Sequence, residues 1–133
     1  MIRKYEDKYR EKIIEIGKSL GGAFDIDKVS KNEVIFVYIK DGEIVGFIDY
    51  MPIFEVVEIL YIAVDNNHRR SGIGSELISY VLDGDEIKRS ILEVRSDNKT
   101  AIDFYTELGY KPVRLIKNYC TDGEDALAME KVK

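Results

Sequence analysis

The sequence predicts an α/β (α+β) domain: one mixed, mostly antiparallel sheet with helices on its faces. Three observations lead there. Apolar residues recur at helical spacing in three separated stretches. Runs rich in β-branched and aromatic residues alternate with them. The length, 133 residues, fits one domain spanning residues 1–133, large enough to bury a core of its own.

The elements follow in order. Ile2 to Lys4 reads as a short strand. Tyr9, Ile13, Ile16 and Leu20 share a helical face, and Gly21-Gly22 ends that helix. "VIFVYIK" (34–40) and "EIVGFIDYM" (43–51) read as strands joined by the hairpin signal Asp41-Gly42, with Pro52 breaking the second. "VVEILYIAV" (56–64) is a third, largely buried strand. Ile73, Leu77, Ile78 and Val81 form one face of a helix that "DGD" (83–85) closes. "SILEV" (90–94) is a strand. A helix follows, with Ser96, Asp97 or Asn98 as its cap, Ala101, Phe104, Tyr105 and Leu108 inward, and Gly109 just past its end. Two strands, about 111–119 and 126–132, close the chain around "TDGED".

Composition narrows the function. The net charge of −5 argues against nucleic acid as a partner, because such domains are usually basic. Cys120 is the only cysteine, which excludes an internal disulfide and suits a reducing compartment. His68 is the only histidine, so neither a histidine-rich metal site nor a Ser-His-Asp triad is expected. The first residues carry no apolar stretch of the signal-peptide kind, and no run approaches the roughly 20 apolar residues of a membrane span. These features lead us to expect a cytoplasmic chain with no membrane partner, a monomer or a homodimer.

The segment "HRRSGIGSELI" (68–78) carries the strongest chemical signal. A strand runs into glycines and then a helix, whose first N–H groups have no internal partner. The helix dipole places about half a positive charge there. Glycines let the backbone approach a phosphate, and Arg69 and Arg70 add charge-assisted donors. A P-loop is excluded because no lysine follows Gly74, and a dinucleotide fingerprint because position 77 is Leu77. The residues match [Q/R]-x-x-G-x-[G/A], filled by Arg69, Gly72 and Gly74. The plain alternative is a turn that needs glycines and exposes two arginines.

"IAVDNNHRRSGIGSELI" (62–78), "LEVRSDNKTAIDFYTELGY" (92–110) and "NYCTDGEDALAM" (118–129) resemble, in order, the cofactor, catalytic and C-terminal segments of GNAT acetyltransferases. The similarity is greatest to the ribosomal-protein-alanine N-acetyltransferases and related N-terminal (α-amino) acetyltransferases. It covers about residues 58–131, and the first third matches in outline. The resemblance implies a GNAT fold whose sheet splays between the strand ending at Val64 and the strand carrying Glu93, with acetyl-CoA in the gap. It implies that the backbone of Ile62, Ala63 and Val64 binds pantetheine and the acetyl carbonyl. Arg69, Arg70, Ser71, Gly72, Ile73, Gly74 and Ser75 would hold the pyrophosphate. Asn98 and Tyr105 would contact the cofactor, and Tyr119 the acceptor. The chain departs from the family at Cys120, where a tyrosine is common, and in a slightly shorter helix after the loop.

Acetyl transfer to an amine needs a base, an oxyanion donor and an acid for the leaving thiolate. An α-amine, with a pKa near ~7.7–8.0, asks far less of the base than a lysine near ~10.4. Glu93 is the expected base, since a carboxylate within a strand buried on both faces would have a raised pKa. The resemblance implies the same role, since the family's N-terminal alanine acetyltransferases carry a glutamate at the matching position. Its structural alternative is an ion pair with Arg95 on the same strand face. Tyr105 is the expected acid, against simple packing on the inner helix face. The backbone N–H near Val64 is the expected oxyanion donor. Glu58 reads as an exposed strand-end charge or a second carboxylate. Tyr119 either touches the peptide or packs across strands. Asp122, Glu124 and Asp125 read as a solvated hairpin tip, Cys120 as a small buried residue, and His68 as an exposed neighbour of the loop.

The expected activity is direct acetyl transfer, in a ternary complex, to the α-amino group of a protein or peptide. The alternatives are acetylation of lysine side chains or polyamines, and a non-catalytic acyl-CoA-binding subunit.

Overall fold

The alternation of apolar patterns produces seven strands and three α-helices in a computed structural model that describes residues 1–133. They are β1 (Ile2–Lys4), α1 (Arg10–Gly17), β2 (Val34–Lys40), β3 (Glu43–Ile53), β4 (Val56–Val64), α2 (Ile73–Val81), β5 (Arg89–Arg95), α3 (Lys99–Glu107), β6 (Lys111–Ile116) and β7 (Ala126–Val132). The strands form one sheet in the order β1-β2-β3-β4-β5-β7-β6. The pairs β1–β2, β2–β3, β5–β7 and β6–β7 are antiparallel. No helix is long and apolar enough to cross a membrane.

Two compact units divide the chain: Met1–Pro52 with Ile59–Asp83, and Ile53–Glu58 with Gly84–Lys133. In the first, Ile35 and Val37 of β2, Phe47 of β3, Ala63 of β4, and Ile13 and Ile16 of α1 make one buried cluster. Phe24 closes it, 4.8 Å from the Phe47 ring and 5.4 Å from Tyr61. The four apolar residues expected on the α2 face, Ile73, Leu77, Ile78 and Val81, are all buried. Asp41 (φ 52°) and Gly42 (φ 80°) both adopt the left-handed conformation that a tight two-residue hairpin needs.

In the second unit, Ser90 and Leu92 of β5 are buried, Leu92 opposite Met129 of β7. Tyr110 is buried and donates its hydroxyl hydrogen to Ser90 Oγ at 2.7 Å. Asn98 caps α3 by accepting the Ala101 N–H at 3.1 Å, and Gly109 leaves the helix at φ 98°.

Three boundaries differ from expectation. The helical signal over 9–20 yields an α-helix only over Arg10–Gly17, because single 3-10 turns, Asp7–Tyr9 and Lys18–Leu20, flank it. Pro52 does not break β3, which runs on to Ile53; near a strand end a missing N–H costs little. The last hairpin's first strand stops at Ile116, not near 119. Asn118 there turns left-handed (φ 52°), and its N–H bonds Asp125 Oδ1 at 2.9 Å.

Candidate active site

The glycine loop lies in the first unit. After β4 the Asp65 N–H is fixed to Val45 O at 2.8 Å, and a short turn covers Asn66–His68. His68 is half-buried, not exposed, because Nδ1 meets Asp65 Oδ2 at 3.3 Å. Arg69 is extended, and its Nε donates to Val64 O at 3.2 Å. That bond ties the guanidinium stem to the end of β4. Arg70 is left-handed (φ 65°), and the Ser71 hydroxyl donates to His68 O.

Gly72 is the N-cap of α2 at φ 84°, with no side chain capping the helix. A Cβ at Gly72 would meet nothing within 4 Å. Glycine is therefore required by its backbone angle, and the space outside it is open. The first turn of α2, carrying Ile73, Gly74 and Ser75, presents N–H groups without helical partners. Two exposed arginines and uncapped amides around open space form an anion cradle. The chain's arrangement there suits a diphosphate.

One loop-supporting residue escaped the sequence reading. A Cβ on Gly46 of β3 would lie 3.1 Å from Ala63 O and 3.3 Å from Ile73 Cγ2. Gly46 thus lets β3 approach β4 and the first residue of α2. Its signal was a lone glycine inside a strand pattern.

The titratable groups lie in the second unit. Glu93 is exposed on β5, contrary to the burial expected of it. It stands opposite Ala128 and shares its face with half-buried Ile91, while Ser90 and Leu92 face the core. Glu58, expected as an exposed charge, is half-buried instead. Burial first, and then the charge of Glu93, raise the Glu58 carboxyl above its ordinary value. Tyr119 joins the pair. Its side chain is 56% exposed. Its hydroxyl is raised by desolvation first, then by the neighbouring Glu93, and further by Glu58. A cleft of 430 Å³ opens here, lined by Glu58, Arg89, Ile91, Glu93, Arg114 and Ala128 among others.

Arg95 does not neutralise Glu93. Its guanidinium binds Asp97 at 3.0 Å and Asp122 at 3.0 Å, and holds both carboxyls below their usual range. The tip is solvent-exposed at Asp122 and Gly123, as expected, while Glu124 and Asp125 are half-buried and the loop is tied back to Arg95 and Ser96. Ser96 Oγ donates to Glu124 Oε1 at 2.7 Å, and the Ser96 N–H bonds Asp125 O at 2.9 Å. Half-buried Cys120 bonds Glu124 O through its N–H at 2.9 Å. These contacts hold the segment that presents Tyr119.

Tyr105 is buried, edge-on to Phe104 at 5.2 Å and to Tyr110 at 5.7 Å. Burial, and less strongly Tyr110, push its hydroxyl well above the ordinary tyrosine range, so it stays protonated at any working pH. Asn98 Oδ1 is committed to its cap, which leaves the amide NH₂ for other partners.

Comparison with known proteins gives these parts a context. The model of the acetyltransferase (GNAT) family matches residues 3–110. That match reaches well into the first third of the chain, where only an outline was expected. An N-alpha-acetyltransferase of Sulfurisphaera tokodaii is 34% identical over 80% of this chain and 74% of its own. The ribosomal protein bS18-alanine N-acetyltransferase of Escherichia coli is 34% identical over 71% of this chain and 68% of its own. Among solved structures, Ard1 from Thermoplasma volcanium superposes with a TM-score of 0.85, covering 99% of this chain and 96% of that one at 27% identity.

Proposed function

Because this chain belongs to the acetyltransferase (GNAT) family, it is an acyltransferase, and we propose that it transfers acetyl from acetyl-CoA to the α-amino group of a protein or peptide N-terminus. The observation that carries the acceptor class is the Glu58–Glu93 pair beside Tyr119. Carboxylates are weak bases, and an α-amine near pKa ~7.7–8.0 is already partly neutral at pH 7, whereas a lysine near ~10.4 is not. The names of the similar α-amino acetyltransferases support the same acceptor.

Bound acetyl-CoA supplies a thioester carbonyl for the amine to attack and a thiolate to leave. Arg69, Arg70 and the first amides of α2, at Ile73, Gly74 and Ser75, bind the diphosphate, with Ser71 and Gly72 setting the loop's path. The backbone of Ile62, Ala63 and Val64 bonds the pantetheine, and an N–H near Val64 serves the developing oxyanion. Asn98 contributes its free amide NH₂.

Glu93, alone or through a water, takes one proton from the α-ammonium. The neutral nitrogen then forms the new N–C bond as the C–S bond breaks. Tyr105 donates its hydroxyl proton toward the departing sulfur, and the nitrogen's second proton restores it. Burial keeps that proton on Tyr105 and makes it a weak acid, so its hydroxyl acts first as a hydrogen-bond donor to the sulfur as negative charge develops there. Transfer is direct, with no acyl group on Cys120. Glu58, beside Glu93, helps hold the incoming ammonium.

A pH–rate profile with a peptide lacking lysine tests the reading. The profile should rise and level once the α-amine is neutral, about pH 8–8.5. A rate still climbing past pH 9, seen with lysine-containing acceptors or polyamines alone, would contradict it. So would strong thermal stabilisation by acetyl-CoA with no acetylation of any peptide.

A further inference from the structure

We propose that the acceptor carries an acidic side chain at its first or second residue, and that Arg114 recognises it. This rests on the α-amine reading above and names the substrate class of the same cleft.

The backbone turns Arg114 into that cleft. On β6, Lys111 stands opposite Glu130 and Pro112 opposite Met129, yet Arg114 stands opposite Ala128. Val113 is the extra residue of a bulge. Strict alternation would put Arg114 on the face of Pro112; the bulge shifts it onto the face of Ala128. Glu93 stands opposite Ala128 on the other side. Glu93, Ala128 and Arg114 therefore form one row across three strands, acid and base roughly 10 Å apart by strand spacing. Only a methyl group stands between them.

The other charges of the cleft cancel. Arg89 pairs with Glu130 at 3.2 Å. What is left is Glu58 and Glu93 on one side and Arg114 on the other, whose guanidinium has no carboxylate partner. Such a cleft complements a ligand with an ammonium at one end and a carboxylate at the other. An N-terminal amine and an acidic side chain on the first or second residue fall within that span. The net charge of −5 works against an acidic acceptor at long range, so the preference must arise locally. A charged residue on an edge strand also guards against edge pairing, but a guard needs no bulge to set its face.

The test compares kcat/KM for peptides differing only by Glu, Gln or Lys at the second residue, and a matching set at the first. The native chain should favour Glu over Gln about tenfold at one of the two positions, the size of a charge-assisted pair. Arg114→Gln should bring that ratio near one, and Arg114→Glu should favour Lys. Lys111→Gln, which removes a charge from the same strand outside the cleft, should keep the native ratio. Equal rates for Glu and Gln at both positions, or a preference that survives Arg114→Gln, would overturn the inference and leave α-amine acetylation standing. Failure to acetylate any α-amine would overturn both.

Discussion

Glu58 of β4 and Glu93 of β5 lie close enough that the charge of Glu93 raises the Glu58 carboxyl. A carboxylate raised by burial and by a neighbouring negative charge is stabilised by an incoming ammonium.

Glu93→Gln should lower kcat about 100-fold at pH 7, the scale of a lost general base. KM for acetyl-CoA should stay within about threefold, since nothing in the loop changes. With one negative charge gone, the Glu58 carboxyl should fall toward its ordinary value. A carboxyl resonance followed by NMR titration would read that downward shift, and steady-state kinetics the loss of rate.

Tyr105→Phe removes one hydroxyl and keeps the ring contacts with Phe104 and Tyr110. We expect kcat to fall about tenfold or more, with the thermal midpoint nearly unchanged. An unaltered rate would return Tyr105 to packing alone.

Gly72→Ala should destabilise the chain by about 1–2 kcal/mol, because φ 84° is costly with a Cβ. The space beside it is open, so the strain is in the backbone and not a clash. Acetyl-CoA should bind more weakly as the loop relaxes. Denaturant unfolding and calorimetric titration measure the two effects separately.

Asp49 sits on β3 opposite Ile35, 0% exposed, with neither carboxyl oxygen hydrogen-bonded. Burial first, and then neighbouring Glu33, push its carboxyl up to about 8. The folded state thus holds the proton more tightly than the unfolded chain does. The sign follows: this contribution to stability is complete below the unfolded value of 3.8 and is lost as pH rises to about 8. Asp49→Asn should therefore stabilise the chain at pH 8 by at least about 1 kcal/mol and have little effect near pH 4. Urea unfolding at the two pH values would check this.

The sequence revealed most where local pattern decides. The run 56–64 matched β4 residue for residue, and the helix-face residues of α2 are the buried ones. It misled where a distant partner decides. "SILEV" looked apolar on both faces, but which face of β5 is covered depends on strands and helices elsewhere, so exposed Glu93 and half-buried Glu58 exchanged their expected environments. Asp122 is exposed as its position in a hairpin tip suggested, but its ion pair with Arg95 and the bond between Ser96 and Glu124 were not legible, because those partners lie 27 and 28 residues away. Asp49, a charge within "GFIDYM", was a readable break in an apolar run that passed unremarked. The proposed roles of the cofactor loop, Tyr105 and Asn98 came from motif resemblance, since their chemistry leaves no trace in periodicity.

The most direct measurement is mass spectrometry of a lysine-free peptide, with a free N-terminus, incubated with the chain and acetyl-CoA, beside its N-terminally blocked twin carrying one lysine. The account predicts a single added acetyl group on the first residue of the free peptide, lost with Glu93→Gln, and none on the blocked one. Acetylation of the lysine in the blocked peptide, with the free α-amine untouched, would contradict it.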